Sequence, residues 1–285
     1  METNIIFLCH KYCLVINMKI VSWNCNGSFR ETIKSILDED SKTYLDADIY
    51  VIAECENPSE PLPKYKEYKK IVEDLVGDNY FWIGDYHYKG LGIFAKENIK
   101  LEKIEGLNER FKNFIPLRVN NSFNLLCVWA MGADKENGLN PYVQMIHDYF
   151  DANEKLFDEN LIICGDFNSN AVFNPKHKTK DKNGKAKNHT NLDIKLNNKG
   201  LFSLYHTLSG EVNGEETRFT FFQAKHLNVP FHLDYFYANE EIIKKTELIN
   251  FWRKPNEDIP NKFEILDNGE WIGLSDHLPL VFEFE

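Results

Sequence analysis

The feature that most constrains this chain is the spacing of its apolar runs. Short, nearly continuous hydrophobic stretches, among them Asp48–Ala53, Asn124–Met131 and Asn160–Gly165, recur between segments of helical periodicity. Runs of this length bounded by turn residues read as buried strands. Lys19–Asn24, Phe81–Gly84, Gly90–Lys96, Ile99–Ile104, Arg218–Phe222 and His232–Ala238 are predicted strands too. Leu278–Glu285 alternates apolar and polar residues, the pattern of a half-buried strand. Helices are predicted over Phe29–Asp38, Pro141–Phe157 and Asp193–Lys199. The second carries Val143, Ile146, Phe150 and Phe157 on one stripe, with its proline suited to a first turn. Alternation of this kind predicts a layered α/β core. A chain of 285 residues would suggest two domains by length. No linker or internal repeat divides it, so one domain is expected over residues 18–285.

Composition closes off several classes. Hydrophobic residues at 43% and aromatics at 14% supply a sizeable core and exclude a disordered or fibrous chain. The net charge of −11 is the wrong sign for a protein that grips nucleic acid by bulk charge. A polyanionic ligand would need a local positive feature, such as a metal ion or a basic loop. Six cysteines stand at 9, 13, 25, 55, 127 and 164 without a CxxC pair. Cys25, Cys55, Cys127 and Cys164 fall in apolar runs and read as buried free thiols, which favours a reducing, cytoplasmic location. The apolar stretch Ile5–Ile16 is broken by His10 and Lys11 and is too short to span a bilayer. It also lacks the basic start and small-residue end of a signal peptide. Residues 1–17 are therefore expected to be a dispensable extension ahead of a first strand opening at Met18.

Five segments place polar residues at the ends of apolar runs, where α/β scaffolds carry their chemistry. They are Ser22-Trp23-Asn24-Cys25-Asn26-Gly27, Ile52-Ala53-Glu54, Ile163-Cys164-Gly165-Asp166-Phe167-Asn168, His232-Leu233-Asp234-Tyr235 and Ser275-Asp276-His277. Any one alone has a plain structural reading, since Asp and Asn after a strand are ordinary turn formers. All five in one order across the chain are harder to explain that way.

In that combination the sequence resembles the endonuclease/exonuclease/phosphatase superfamily of divalent-metal phosphoesterases, from about Met18 to the C-terminus. The resemblance implies a four-layer sandwich: two facing mixed β-sheets with helices outside and a cleft where strand ends meet. It also implies in-line hydrolysis of a phosphate ester without a covalent intermediate. A phosphodiester repels hydroxide, so its site needs a cation and hydrogen-bond donors. Glu54 is the candidate ligand for Mg²⁺ or Mn²⁺, which prefer oxygen donors. By resemblance, Asn26 and Asp276 complete the metal shell, although many relatives have aspartate where Asn26 stands. Asp166 would orient and deprotonate the attacking water, and Asn168 and Asn24 would position the phosphate. His277 would hydrogen-bond the scissile phosphate or protonate a leaving oxygen, with Asp234 orienting its imidazole.

Two positions depart from the pattern. Trp129 stands where relatives often carry Tyr or His, and indole offers a single donor, so an aromatic wall or core role is an equal reading. His232 stands where nucleases often show Arg. Both are kept as candidate substrate contacts.

The substrate is read by elimination. The continuations that mark inositol-polyphosphate phosphatases are missing after Asn168 and around Asp234, and no export signal or membrane-docking hairpin suggests a secreted sphingomyelinase. DNA or RNA is the leading substrate. The alternatives are a small-molecule or lipid phosphoester, or a catalytically silent binding module. Lys176, Lys178, Lys180, Lys182, Lys185 and Lys187, in a stretch without apolar periodicity, are expected to form a mobile loop beside the site. That loop either contacts flanking phosphates or is a solvated surface. No interface stripe is evident, so a monomer is expected, without membrane or obligate protein partner.

Overall fold

The computed structural model describes residues 18–37, 45–60, 66–136, 138–158, 160–244, 263–265 and 273–284. The proposed extension at residues 1–17 lies outside the described residues. The chain begins β1 (Met18–Asn24), α1 (Phe29–Leu37), β2 (Ile49–Cys55), α2 (Glu67–Val76), β3 (Tyr80–Tyr86), β4 (Lys89–Ala95) and β5 (Leu101–Lys103). It continues through β6 (Phe114–Val119), β7 (Phe123–Trp129), α3 (Val143–Ala152), β8 (Leu161–Asp166), α4 (His189–Asn197), β9 (Phe202–Ser203) and α5 (Leu204–Ser209). Then come β10 (Phe221–Phe222), β11 (Pro230–Phe231), β12 (Asp234–Ala238), α6 (Glu240–Lys244), β13 (Phe263–Ile265) and β14 (Leu280–Phe284).

Among the described residues the strands form two six-stranded mixed sheets, ordered β13-β14-β1-β2-β4-β3 and β5-β6-β7-β8-β12-β9. Their packing follows the two-residue period of a strand. In β7, Leu125, Cys127 and Trp129 join the core that includes β1, β2 and β4, while Leu126 and Val128 join the core beneath α3 and α4. In β8, Ile162 and Cys164 face the first core and Leu161 and Ile163 the second. On the outer face of the first sheet, Phe29 and Ile33 of α1 and Tyr68 and Val72 of α2 are buried. The molecule is the expected four-layer sandwich. Cys25, Cys55, Cys127 and Cys164 are buried free thiols within it.

The same topology decides where the polar ends gather. β1 and β2 run parallel, so Asn24 and Glu54 lie at one edge of the first sheet. β14 runs antiparallel to β1, so His277, just before it, enters at that edge too. In the second sheet β7 and β8 are parallel and end together at Trp129 and Asp166. The antiparallel β12 starts opposite them, with Asp234 in register with Asp166.

Several elements differ from expectation. β14 is not half-buried: only Glu283 of the described strand escapes full burial, because the strand is inserted between β13 and β1. The helix expected over Pro141–Phe157 is divided by Asn153, whose side chain accepts from the backbone of Asn108 and donates to Tyr149. A separate 3₁₀ turn, Glu154–Asp158, follows. α4 starts at His189, earlier than expected, because the Asn188 side chain caps it by accepting from Asn191 N. Of Arg218–Phe222 only the last two residues form a strand, pairing with β11 in a small ribbon.

Candidate active site

Glu54 is presented by a distortion of β2. The pairing of β2 with β4 slips between Ala53 and Cys55, and Glu54 adopts φ 57°, left-handed for a residue with a side chain. A bulge of this kind re-aims a side chain out of the ladder at a backbone cost of about 1–3 kcal/mol. The turn after β1 holds it in place: Cys25 N donates to Ala53 O and Gly27 N to Glu54 O, each at 2.9 Å. Glu54 Oε2 pairs with Lys89 Nζ at 2.8 Å, and Oε1 lies 3.4 Å from Asn24 Nδ2. Asn26 is exposed in that same turn.

Asp166 is the best-buried carboxylate of the site, at 1% exposure. Its approach to β7 depends on Gly165, which sits at φ 134° with space for no Cβ: one would meet Val128 O at 2.0 Å. Asp166 Oδ2 accepts from Asn24 Nδ2 at 2.9 Å and Asn168 Nδ2 at 3.0 Å, while Oδ1 accepts from Asn168 N at 2.8 Å. Asn168, at φ 45°, also donates to Ala130 O and so locks the turn. Asn24 thus spans the two sheets, reaching both Glu54 and Asp166.

His277 Nδ1 and Asp234 Oδ2 are 2.9 Å apart, both residues buried. Leu233 N and Asp234 N both donate to Thr220 Oγ1, fixing the start of β12. His277 is held from three directions. Its N–H donates to Ser275 Oγ, its carbonyl accepts from Trp23 Nε1 at 2.9 Å, and its ring lies 4.6 Å from that of Phe221. Ser275 Oγ in turn donates to Asn24 O at 2.7 Å. Asp276 is half-buried immediately before His277, with its carbonyl accepting from Phe222 N.

These groups are electrostatically linked. Burial pushes the Asp166 carboxyl up to about 7, against the pull of His277 and the donors from Asn24 and Asn168. Burial alone would hold His277 neutral, but the carboxylates of Asp234 and Asp166 reverse this and push it up to about 9. The site therefore keeps an imidazolium at neutral pH beside a carboxyl poised to exchange a proton. Carboxylate oxygens of Asp166 and Asp234 and a ring nitrogen of His277 lie within 4.8 Å of one another.

Glu54 has the chemistry to hold a hard divalent cation. Its donors are oxygens, its strained backbone aims it out of the sheet, and Oε2 already carries a cation, the Lys89 ammonium. Asp234 is committed to His277 and Asp166 to three donors, whereas Glu54 Oε2 faces the exchangeable ammonium of Lys89.

The other candidates divide. Trp129 lines the adjoining cleft of about 600 Å³ together with Lys89, and its Nε1 is a buried donor without a partner among the described residues. His232 is not brought to the cleft. It is 1% exposed, its Nδ1 meets Arg218 O at 2.9 Å, and its ring packs against Tyr205 and Tyr235. Burial holds it down to about 4, so it carries no charge for a phosphate. The lysine segment is closed by its own hydrogen bonds. Asp181 Oδ1 accepts from Asn183 N and Lys185 N, and Lys187 N donates to Thr179 O at 2.8 Å. Lys176, Lys178, Lys180, Lys182 and Lys185 are exposed, with Lys176 Nζ 5.0 Å from the Phe173 ring. Lys187 is instead half-buried and paired with Asp148 of α3. Sequence reasoning missed Lys89, Thr220 and the supporting roles of Trp23 and Ser275. Lys89 had no motif to mark it, while Ser275 and Trp23 stood within the five polar segments and needed only their partners.

Among the described residues, no helix is long and apolar enough to cross a membrane. No curated protein matches the chain in sequence. Its fold is similar to an AP endonuclease from Archaeoglobus fulgidus, with TM-score 0.62 and 14% identity over 94% of this chain and 99% of that one. It is also similar to the 3′-5′ exonuclease NExo from Neisseria meningitidis, with TM-score 0.58 and 16% identity over 94% and 100% of the two chains. The endonuclease domain of TRAS1, a telomere-specific non-LTR retrotransposon, matches with TM-score 0.56 and 14% identity over 95% and 99%. The family model for endonuclease/exonuclease/phosphatase proteins matches residues 21–277, from the middle of β1 to the imidazole of the site, and the chain belongs to that phosphoesterase family.

Proposed function

We propose that this chain is a divalent-metal-dependent phosphodiesterase that cleaves nucleic acid, DNA first, by in-line attack of water. The observation that carries this reading is the meeting, at one edge of the two sheets, of a buried Asp166 held by Asn24 and Asn168 with the His277–Asp234 pair. Asp166, fixed by Asn24 and Asn168, takes the proton of the attacking water; its raised pKa suits a base working near pH 7. His277, charged by Asp234, donates a hydrogen bond to the phosphoryl group and eases departure of the leaving oxygen. Asn24 and Asn168 hold the base and the phosphate in line. Glu54, together with Asn26 and Asp276, would hold the cation, which would supply Lewis-acid stabilisation of the phosphoryl charge. The five exposed lysines of the 176–185 stretch would contact flanking phosphates.

DNA is favoured because NExo, similar in fold, is described as a 3′ phosphatase bound to a product DNA hairpin. The buried free thiols support a reducing compartment, and we place the enzyme in the cytoplasm. The test is metal-dependent release of p-nitrophenol from bis-p-nitrophenyl phosphate, followed by a panel of single-stranded, duplex and abasic DNA, RNA and phosphoinositides. Asp166→Asn and His277→Ala should each lower kcat by about 10²–10⁴. Turnover that survives both variants, or that ignores chelation, rejects the assignment; preference for phosphoinositides redirects it to a lipid phosphatase.

A further inference from the structure

The salt bridge between Lys89 and Glu54 occupies Oε2 of the carboxylate proposed above to hold the metal. Lys89 opens β4 and reaches across the bulge, so its ammonium is a resident cation at that position. The pair is not sealed: the side chains are 37% and 14% exposed, and a lysine stem of four methylenes can swing. Lys89 Nζ also lies 5.7 Å from the centre of the Trp129 ring, and both residues line the same cleft. There Trp129 Nε1 is a buried donor with no acceptor among the described residues. A cleft wall that presents the Lys89 ammonium, a donor only, is complementary to an acceptor-only ligand such as a phosphoryl oxygen.

We propose that Lys89 is an exchangeable counterion. It neutralises Glu54 until a divalent cation takes that carboxylate, and it then turns to a phosphoryl oxygen of the substrate beside Trp129. Two positive charges a few ångströms apart on one carboxylate repel, so Lys89 cannot remain on Oε2 beside a dication. Its release makes cation binding and phosphate binding reciprocal: each strengthens the other through the position of one side chain. The metal half of this inference stands on the ion pair itself; the phosphate half rests on the phosphodiesterase reading above.

The experiment separates the two. Mn²⁺ is titrated calorimetrically into chelator-treated full-length chain without substrate, for wild type, Lys89→Gln and Lys89→Arg. Removing the competitor should tighten Mn²⁺ binding about twofold to fivefold in Lys89→Gln and leave Lys89→Arg near wild type, the scale expected of a partly exposed ion pair. Unchanged or weaker Mn²⁺ affinity in Lys89→Gln overturns the exchange. A labelled single-stranded DNA is then bound with and without Mn²⁺ in a His277→Ala background that halts turnover. The tightening caused by Mn²⁺ should shrink about threefold or more when Lys89→Gln is added, and return with Lys89→Arg. Equal tightening with and without the lysine overturns the phosphate contact. If Mn²⁺ affinity responds as expected but wild type cleaves no phosphodiester, the proposed function fails and the counterion role at Glu54 survives. A wild-type chain that binds no Mn²⁺ overturns both.

Discussion

Replacing Asp234 with Asn isolates what its charge does for His277. The two side chains have the same shape, and an amide oxygen still accepts from Nδ1–H, so the ring keeps its orientation. What disappears is the carboxylate that offsets burial. In the native chain His277 is pushed up to about 9 from an ordinary 6.5, the carboxylates of Asp234 and Asp166 outweighing desolvation. Without that carboxylate, burial, the largest influence on the ring, is opposed only by Asp166 and Asp276, so the imidazole falls from about 9 toward its ordinary 6.5. If the imidazolium is the active form, the rate is lost as pH rises through that value. At pH 8 a group titrating at about 9 is about nine-tenths protonated, and one at about 6.5 is about one-thirtieth protonated. Relative to wild type at the same pH, the variant should therefore lose about thirtyfold in kcat at pH 8 from protonation alone and come close to wild type near pH 6, where both slow as Asp166 takes up its proton. The assay is kcat for bis-p-nitrophenyl phosphate from pH 5.5 to 9.5, with melting temperature as a check on folding. An alkaline limb that stays near pH 9 in a normally folded variant would refute the pairing argument.

Changing Lys176, Lys178, Lys180, Lys182 and Lys185 together to Gln should raise KM for DNA and flatten its salt dependence by about 0.7–0.9 in log–log slope for each phosphate no longer neutralised; an unchanged slope removes the segment from the interface. The buried imidazoles make the fold acid-sensitive. Burial holds His232 down to about 4 and His189 to about 3, while the unfolded chain protonates both near 6.5. Stability is then fully present above pH 6.5 and lost as pH falls, by about 2 kcal/mol from each imidazole at pH 5. Urea midpoints should show that loss between pH 7 and pH 5, and equal midpoints would contradict it.

What the sequence made legible follows burial. Ile49–Cys55 and Leu161–Asp166 are buried along nearly their whole length, and continuous apolar runs announce such strands. β6 escaped because Pro116 and Arg118 interrupt its pattern, although it pairs with both β5 and β7. The site carboxylates and His277 stood at the ends of readable strands and were found there. His232 was misjudged because nearness to Asp234 along the chain says nothing of which way the ring turns; its carbonyl partner lies at Arg218. Lys89 and Thr220 matter through register alone. Nothing in the composition of their neighbourhoods tells that one meets Glu54 and the other receives two N–H groups at the start of β12.

The late insertion of β14 has a kinetic consequence. β1 must wait with an open edge until Leu280–Phe284, some 260 residues later in sequence, slides in beside Met18–Ser22. Pairing across so long a loop is slow to find and rewards the chain only once closed. The same closure carries His277 to Asp234 and its carbonyl to Trp23. Until β14 docks, the carboxylates of Asp166 and Asp234 therefore lack the imidazole that the folded chain brings to Asp234, so the candidate site is the last part of the fold to be completed.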